Sequence, residues 1–188
     1  MYTQDKIFEG ENYTEKVLTA GEYDGCSFNG CDFSGADLSG YEFLDCVFND
    51  CNLSLVKLHK TILSDTSFVG CKIMGVHFED CASLSFSAES CQLNHSSFYE
   101  AKLRKTSFRN TVLAEVDFTG CDLTGSVFDR CDLDKALFER TQLEKADFRT
   151  AFNYAIDPEQ NVVKKAKFSV FGLAGLLRKY NIDIETAG

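Results

Sequence analysis

The chain has 188 residues, 44% of them hydrophobic, and a formal net charge of −10. This is enough apolar material for a core, so a disordered chain is excluded, and no apolar run approaches the eighteen or so residues of a membrane-spanning helix. The acidic excess argues against direct binding to nucleic acid or an anionic membrane.

The first residues, Met1-Tyr2-Thr3-Gln4-Asp5-Lys6, contain no apolar stretch and predict no secretory signal. From Phe8 to Phe148 every fifth position is then large and apolar. Of these 29 positions, 27 are Phe, Leu, Tyr or Ile, the exceptions being Ser83 and Ala88. A period of five fits neither a helix nor an alternating strand. It predicts a chain that lays down one side of a prism every five residues and then turns. Two positions before each large residue lies a compact class: Cys26, Cys31, Ala36, Cys46, Cys51, Val56, Thr61, Thr66, Cys71 and onward. Both classes are expected to point inward, and the residue between them outward, as at Asp32, Asp37, Asn52, Asp117, Asp122, Asp132 and Asp147. Nine of the 13 glycines fall two positions after the large residue, where a corner needs unusual dihedrals. In the first coil Lys6, Glu11 and Lys16 occupy the compact class, which marks a frayed or capping end.

All nine cysteines belong to the compact class. Their number is odd and no CxxC spacing occurs, so they are expected to pack as small core groups, with no metal and no disulfide. Nine unpaired thiols predict a reducing compartment, the cytoplasm. The beat fails at Ser83 and Ala88. Between them Phe86 stands in the compact class, where its volume is expected to fill the gap left by the two missing large side chains. A local bulge that turns Leu84 inward is the alternative.

Ala36-Asp37-Leu38-Ser39-Gly40 and Cys121-Asp122-Leu123-Thr124-Gly125 resemble the A(D/N)LXX motif of the pentapeptide-repeat family. The resemblance implies an all-β solenoid, a right-handed quadrilateral β-helix with four pentapeptides per coil. About seven coils are expected, roughly 34 Å long at one strand spacing per coil. Residues twenty apart then stack. One column reads Phe8, Phe28, Phe48, Phe68, Ala88, Phe108, Phe128, Phe148, and the opposite one Leu18, Leu38, Leu58, Phe78, Phe98, Phe118, Phe138. Such an interior is filled and leaves no room for a ligand.

The repeat is expected to dissolve near Ala151, giving a solenoid over residues 1–155 and a C-terminal helical cap and dimerisation segment over 156–188. Asp157-Pro158-Glu159-Gln160 predicts a short helical turn. Ser169 is the expected N-cap of a helix in which Val170, Leu173, Leu177 and Tyr180 share a face that Phe171 and Leu176 widen. Ile182 and Ile184 suggest a short extended tail. The segment is too apolar to stand free. Phe168, Val170, Phe171, Leu173, Leu176, Leu177 and Tyr180 are the expected cap or dimer residues, and the division between the two roles is open.

No phosphate loop, nucleophile elbow or zinc motif occurs, so no catalytic residue, metal or cofactor is expected. His59, His77 and His95 fall in outward classes, and the paired carboxylates Asp45 and Asp65 are expected to be solvated. Residues 1–50 hold 11 acidic and two basic residues, while Lys102, Arg104, Lys105 and Arg109 form a basic cluster. Glu22, Asp24, Asp32, Asp37, Glu42, Asp45, Asp50 and Asp65 are candidates for an acidic surface that imitates DNA. Two rods end to end would span about 70 Å, the length of roughly 20 base pairs, at about half the charge of DNA.

Cys51-Asn52-Leu53-Ser54-Leu55, Cys71-Lys72-Ile73-Met74-Gly75-Val76 and the run from Phe152 through Phe168-Ser169 to Glu185 resemble the gyrase-interacting branch of the family. That branch holds Qnr-like quinolone-resistance and albicidin-resistance proteins. The resemblance implies a homodimer, joined through its C-terminal segment, that occupies the DNA-binding saddle of DNA gyrase or topoisomerase IV. There it inhibits the enzyme or protects it from quinolone-type or albicidin-type inhibitors. Members that protect gyrase well commonly carry projecting loops, and the unbroken five-residue count predicts no large one here, the Ser83–Ala88 region being the one place for a small one. A cytoplasmic scaffold for some other protein is the alternative.

Overall fold

The computed structural model describes residues 1–185. Its organising feature is parallel pairing at a separation of twenty residues. On a first face β1 (Tyr2–Gln4), β3 (Glu22–Asp24), β5 (Glu42–Leu44) and the start of β7 (Ile62–Val69) pair in that order. On a second face β2 (Ile7–Glu9), β4 (Ser27–Asn29), β6 (Val47–Asn49) and the end of β7 do the same. β8 (Ser83–Glu89), β9 (Ser107–Arg109) and β10 (Val127–Asp129) continue the second face. A third face is a column of single bridges from Asn12 through Asp32, Asn52, Lys72, Gln92, Val112 and Asp132 to Phe152, and a fourth has bridges from Asp37 to Lys57 and from His77 through Ser97 and Asp117 to Leu137. Twenty residues in sides of five make four sides, so the solenoid is quadrilateral.

The two inward classes behave as their chemistry requires. On the second face, rings at steps of twenty stack at 4.6 to 5.4 Å from Phe8 to Phe68 and again from Phe108 to Phe168. On the fourth, Phe78, Phe98, Phe118 and Phe138 stack at 4.5 to 5.4 Å. The compact class satisfies backbone as well as filling space. Thr61, Ser96, Ser126 and Thr141 donate to the carbonyl 23 residues earlier at 2.6–3.0 Å. The thiols of Cys46, Cys51 and Cys71 do the same at 3.2–3.3 Å. A small side chain with one donor therefore ties each coil to the coil below. Eight cysteines are buried, Cys81 is half-buried and none is disulfide-bonded.

Corners adopt the left-handed conformation whether or not they are glycine, as at Asp45, Leu55, Lys60, Lys105 and Lys145, with φ between 51° and 60°. Glycine is demanded where a corner side chain leans over the next coil. A Cβ on Gly70 would lie 2.2 Å from Asp50 Oδ1.

The fault at residues 78–88 combines both expected devices. A 3₁₀ turn at Phe78–Asp80 inserts one residue, so Leu63 pairs with Leu84 instead of with residue 83. The chain then gives the residue back. Leu63 to Thr66 takes three steps on β7, while Leu84 to Phe86 takes two on β8. Leu84 turns toward the core and Ser83 faces solvent. Phe86 is buried and fills the space beside Ala88. Its ring meets Phe68 and Phe108 edge-on and stacks with Phe78 at 5.5 Å and Phe98 at 5.9 Å.

At the N-terminal end Lys6 and Lys16 fold their ammonium groups over the rings of Phe8 and Tyr13, 5.1 and 5.4 Å from the centroids. This explains lysine in the compact class of the outermost coil. At the other end the solenoid runs past the boundary expected at 155. Bridges continue through Val162 and Lys167, and Phe168 stacks on Phe148. Asp157–Gln160 is a hydrogen-bonded turn, not a helical one, with Asp157 Oδ1 accepting from the Glu159 amide at 2.9 Å. The closing segment consists of 3₁₀ helices at Val170–Leu176 and Arg178–Tyr180, with Ser169 as N-cap, its Oγ accepting from the Gly172 amide at 3.2 Å. Glycine at 172 and 175 sets this geometry. A Cβ at Gly172 would lie 2.0 Å from the Tyr154 hydroxyl and one at Gly175 2.5 Å from the Tyr154 carbonyl oxygen.

Candidate binding surface

A filled prism leaves function to its outer faces and its ends. Of the eight candidate carboxylates, five share the first face. Glu22 pairs directly with Glu42 and Asp24 with Leu44, while Asp45 and Asp65 occupy the corner beside them. Asp5, which the sequence reading did not single out, belongs to the same corner. The structure separates the other three: Asp50 ends the second face, Asp32 lies on the third and Asp37 on the fourth. Among the described residues none of these nine carboxylates has a cation within ion-pairing distance. Asp24 accepts from the Tyr2 hydroxyl and Asp65 from the Ser85 hydroxyl, both at 2.9 Å. Hydrogen bonds from Ser39, aided by Lys57 and His59, hold the Asp37 carboxyl below the usual carboxylate range.

Beyond the fault the same face changes sign. Lys102, Arg104, Lys105, Lys145, Lys164 and Lys165 stand there against Asp122 and Glu144. Arg104 Nε contacts Asp122 at 2.5 Å and Lys145 approaches Glu144 at 3.9 Å. The basic cluster of the sequence is thus divided: Arg109 belongs to the second face and points to Asp129 at 3.6 Å. The histidines are exposed, His77 beside Glu79 at 3.0 Å and His95 beside Glu115 at 3.3 Å.

The C-terminal candidates sort into two groups. Phe168 and Leu176 are half-buried against the core, together with buried Tyr154 and Ile156, and close the solenoid. Val170, Phe171, Leu173, Leu177 and Tyr180 are exposed, Phe171 to 96%. Phe152, Ile182 and Ile184 extend this apolar surface and line a concavity of about 550 Å³ with Phe171, Leu177 and Tyr154. The Tyr154 hydroxyl is buried there without a hydrogen-bond partner among the described residues. Within the 3₁₀ segment Leu176 packs inward while Val170 and Leu173 stay outside. Lys179 clasps the closing segment to the turn below, 2.8 Å from Asp157 and 2.6 Å from Glu159.

No group of three or more His, Cys, Asp or Glu among the described residues is arranged to hold a metal ion, and none of the described helices is long and apolar enough to cross a membrane. Burial pushes the thiols of Cys46, Cys121 and Cys131 up to about 12.

A continuous β-solenoid with a filled interior and charged faces defines a class of proteins that present surfaces. The family profile described as Pentapeptide repeat region matches residues 22–86 and 71–148, and the chain belongs to the pentapeptide-repeat family. Its fold is a right-handed quadrilateral β-helix. Among solved structures it is similar to a trypsin-treated variant of QnrB1, a plasmid-mediated fluoroquinolone resistance protein, with TM-score 0.63 and 18% identity over 98% of this chain and 100% of that one. A second such variant gives TM-score 0.59 and 19% identity over 97% and 99%. HetL, involved in heterocyst differentiation regulation in the cyanobacterium Nostoc sp. Strain PCC 7120, gives TM-score 0.59 and 15% identity over 89% and 86%. No curated protein sequence matches the chain.

Proposed function

We propose that this protein is a cytoplasmic DNA-mimic rod that binds DNA gyrase or topoisomerase IV, and that it inhibits the enzyme or shields it from quinolone-type or albicidin-type inhibitors. The observation that carries this reading is the first face of the N-terminal coils. Glu22, Asp24, Glu42, Asp45 and Asp65 share it without a cationic partner among the described residues, in coils about 4.8 Å apart. Stacked like charges reduce stability, so a rod that keeps Glu22 over Glu42 gives up stability for a surface that suits a basic groove. Similarity to the QnrB1 fold supports the choice of partner. The exposed C-terminal apolar surface supports a homodimer, which doubles the length of the rod. Nine free thiols support a reducing compartment. Among the described residues the 3₁₀ turn at Phe78–Asp80 is the one local addition to the regular coils, so inhibition needs no loop, whereas protection would have to work without a long one.

A supercoiling assay with purified gyrase, with and without a quinolone, tests the reading. Inhibition or protection that weakens at least tenfold in Glu22→Gln/Glu42→Gln/Asp65→Asn, with the fold retained by circular dichroism, supports it. Absence of inhibition, protection and binding assigns the rod to a different protein partner.

A further inference from the structure

The corner that joins the first face to the second is formed by every twentieth residue. In order these are Asp5, Gly25, Asp45, Asp65, Ser85, Lys105, Gly125, Lys145 and Lys165. The three aspartates and three lysines are all exposed, and all have φ between 49° and 60°, so they leave the backbone in the same way. Outward from Ser85 the column is antisymmetric in sign. Asp65 lies one coil below and Lys105 one coil above. Asp5 lies four below and Lys165 four above. Asp45 and Lys145 have glycines, 125 and 25, as their counterparts. Among the described residues Asp5, Asp45, Asp65, Lys105 and Lys165 make no ion pair, and Lys145 reaches only Glu144, at 3.9 Å. At the centre, Ser85 lacks the left-handed corner of its neighbours. It lies in a shallow groove of about 260 Å³ with Asp65, Ser67, Ser87, Lys105 and Ser107.

We propose that this corner docks on the same corner of a second copy of the chain running antiparallel to it. A two-fold axis through Ser85, along the strand direction, brings each coil above Ser85 against the coil equally far below it in the partner. Asp65 then meets the partner's Lys105, and Asp5 meets the partner's Lys165. An isologous interface makes each contact twice. Asp45 and Lys145 fall opposite glycines, where no side chain obstructs them, and the groove at Ser85 gives clearance on the axis. A parallel alignment would set aspartate on aspartate, so charge fixes the direction. The neighbouring columns contribute less. Asp122 is neutralised by Arg104, and Glu144 stands near Lys145.

Exposed ion pairs are individually weak and are screened by salt, so this contact is weak and salt-sensitive, unlike the apolar C-terminal surface. Sedimentation of the full chain at about 20 mM and about 300 mM salt separates the two, the Debye length shrinking between them. A reversible association step is expected at low salt only, and it persists in Phe171→Glu. Asp65→Lys and Lys105→Asp each weaken that step at least tenfold. The double variant restores it, because both copies then carry the exchanged signs. Asp5→Lys with Lys165→Asp repeats the cycle at a site that has no link to Ser85. No salt-sensitive association in the wild type, or double variants no better than the singles, overturns the proposal. Neither outcome bears on gyrase binding, which the supercoiling assay reads.

Discussion

While Leu84 stands in for Ser83, Phe86 fills the space that Ala88 leaves. Its ring touches both phenylalanine ladders where Ala88 leaves one of them open. Phe86→Ala is expected to cost about 3–5 kcal/mol in urea unfolding. Tyr99→Ala, on the exposed surface, should change stability by no more than about 0.5 kcal/mol. Equal losses would refute the filling role. Corner residues carry a different strain. Lys60 is held at φ 59° and has no ion-pair partner among the described residues. Lys60→Gly should gain roughly 0.5–1 kcal/mol by relieving the left-handed cost. Gly70→Ala should lose about 1 kcal/mol, since the methyl group meets both that cost and Asp50. Eight of the nine thiols are buried, so mass spectrometry after iodoacetamide at pH 8 should find adducts on the native protein at Cys81 at most, and on all nine cysteines in denaturant. The inward role of phenylalanine and cysteine was legible because the period repeats so often. The hydroxyl and thiol bonds to the coil below were not, because they depend on the 23-residue offset that only the coiled backbone creates.

At the level of elements, the ends differ in kind. The N-terminal coil is closed by two lysines lying over rings, whereas the C-terminal coil is closed by a segment pressed onto Tyr154 through Gly172 and Gly175. Lys179 fastens that segment and holds the carboxyls of Asp157 and Glu159 below their ordinary range. A depressed carboxylate stabilises the fold above its unfolded pKa, about 4, and the contribution is lost as pH falls through the lower folded value. Lys179→Ala should therefore lower Tm at pH 7 and have little effect below about pH 3. An equal loss at both pH values would show that the clasp is not electrostatic. The sequence suggested a helix here from spacings of three and four, and Ser169 did become its N-cap. The 3₁₀ form follows from the two glycines three apart, which let the backbone lie against a buried ring. Tyr154, 18 residues before Gly172, gives no local sign of that contact. The solenoid end was misplaced for a related reason. Lys164, Lys165 and Lys167 hide the repeat, yet Val163 and Phe168 keep its register.

For the whole molecule, end and side surfaces make separable predictions. Phe171, at 96% exposure, is the most prominent member of the C-terminal apolar surface. Phe171→Glu should yield a monomer at about 300 mM salt, where charge contacts are screened, provided that surface joins two copies. A wild type that is already monomeric at micromolar concentration would remove the dimer from the functional reading. The acidic excess of residues 1–50 and the basic cluster of Lys102, Arg104, Lys105 and Arg109 were both visible as composition. That five of the eight chosen carboxylates share one face, while Asp32, Asp37 and Asp50 turn to the other three, required the twenty-residue register, which single pentapeptides do not reveal.

The extra residue at the turn after Phe78 and the one withdrawn before Phe86 have a bearing on how such a chain can change its length. The coils behave like text with a reading frame of five. A single insertion would turn every later core side chain to the outside, but one cancelled within the same coil is absorbed at the cost of a dent and one displaced ring. Gains and losses of chain are therefore expected to survive as whole coils or as compensated pairs, and this protein carries one of the latter.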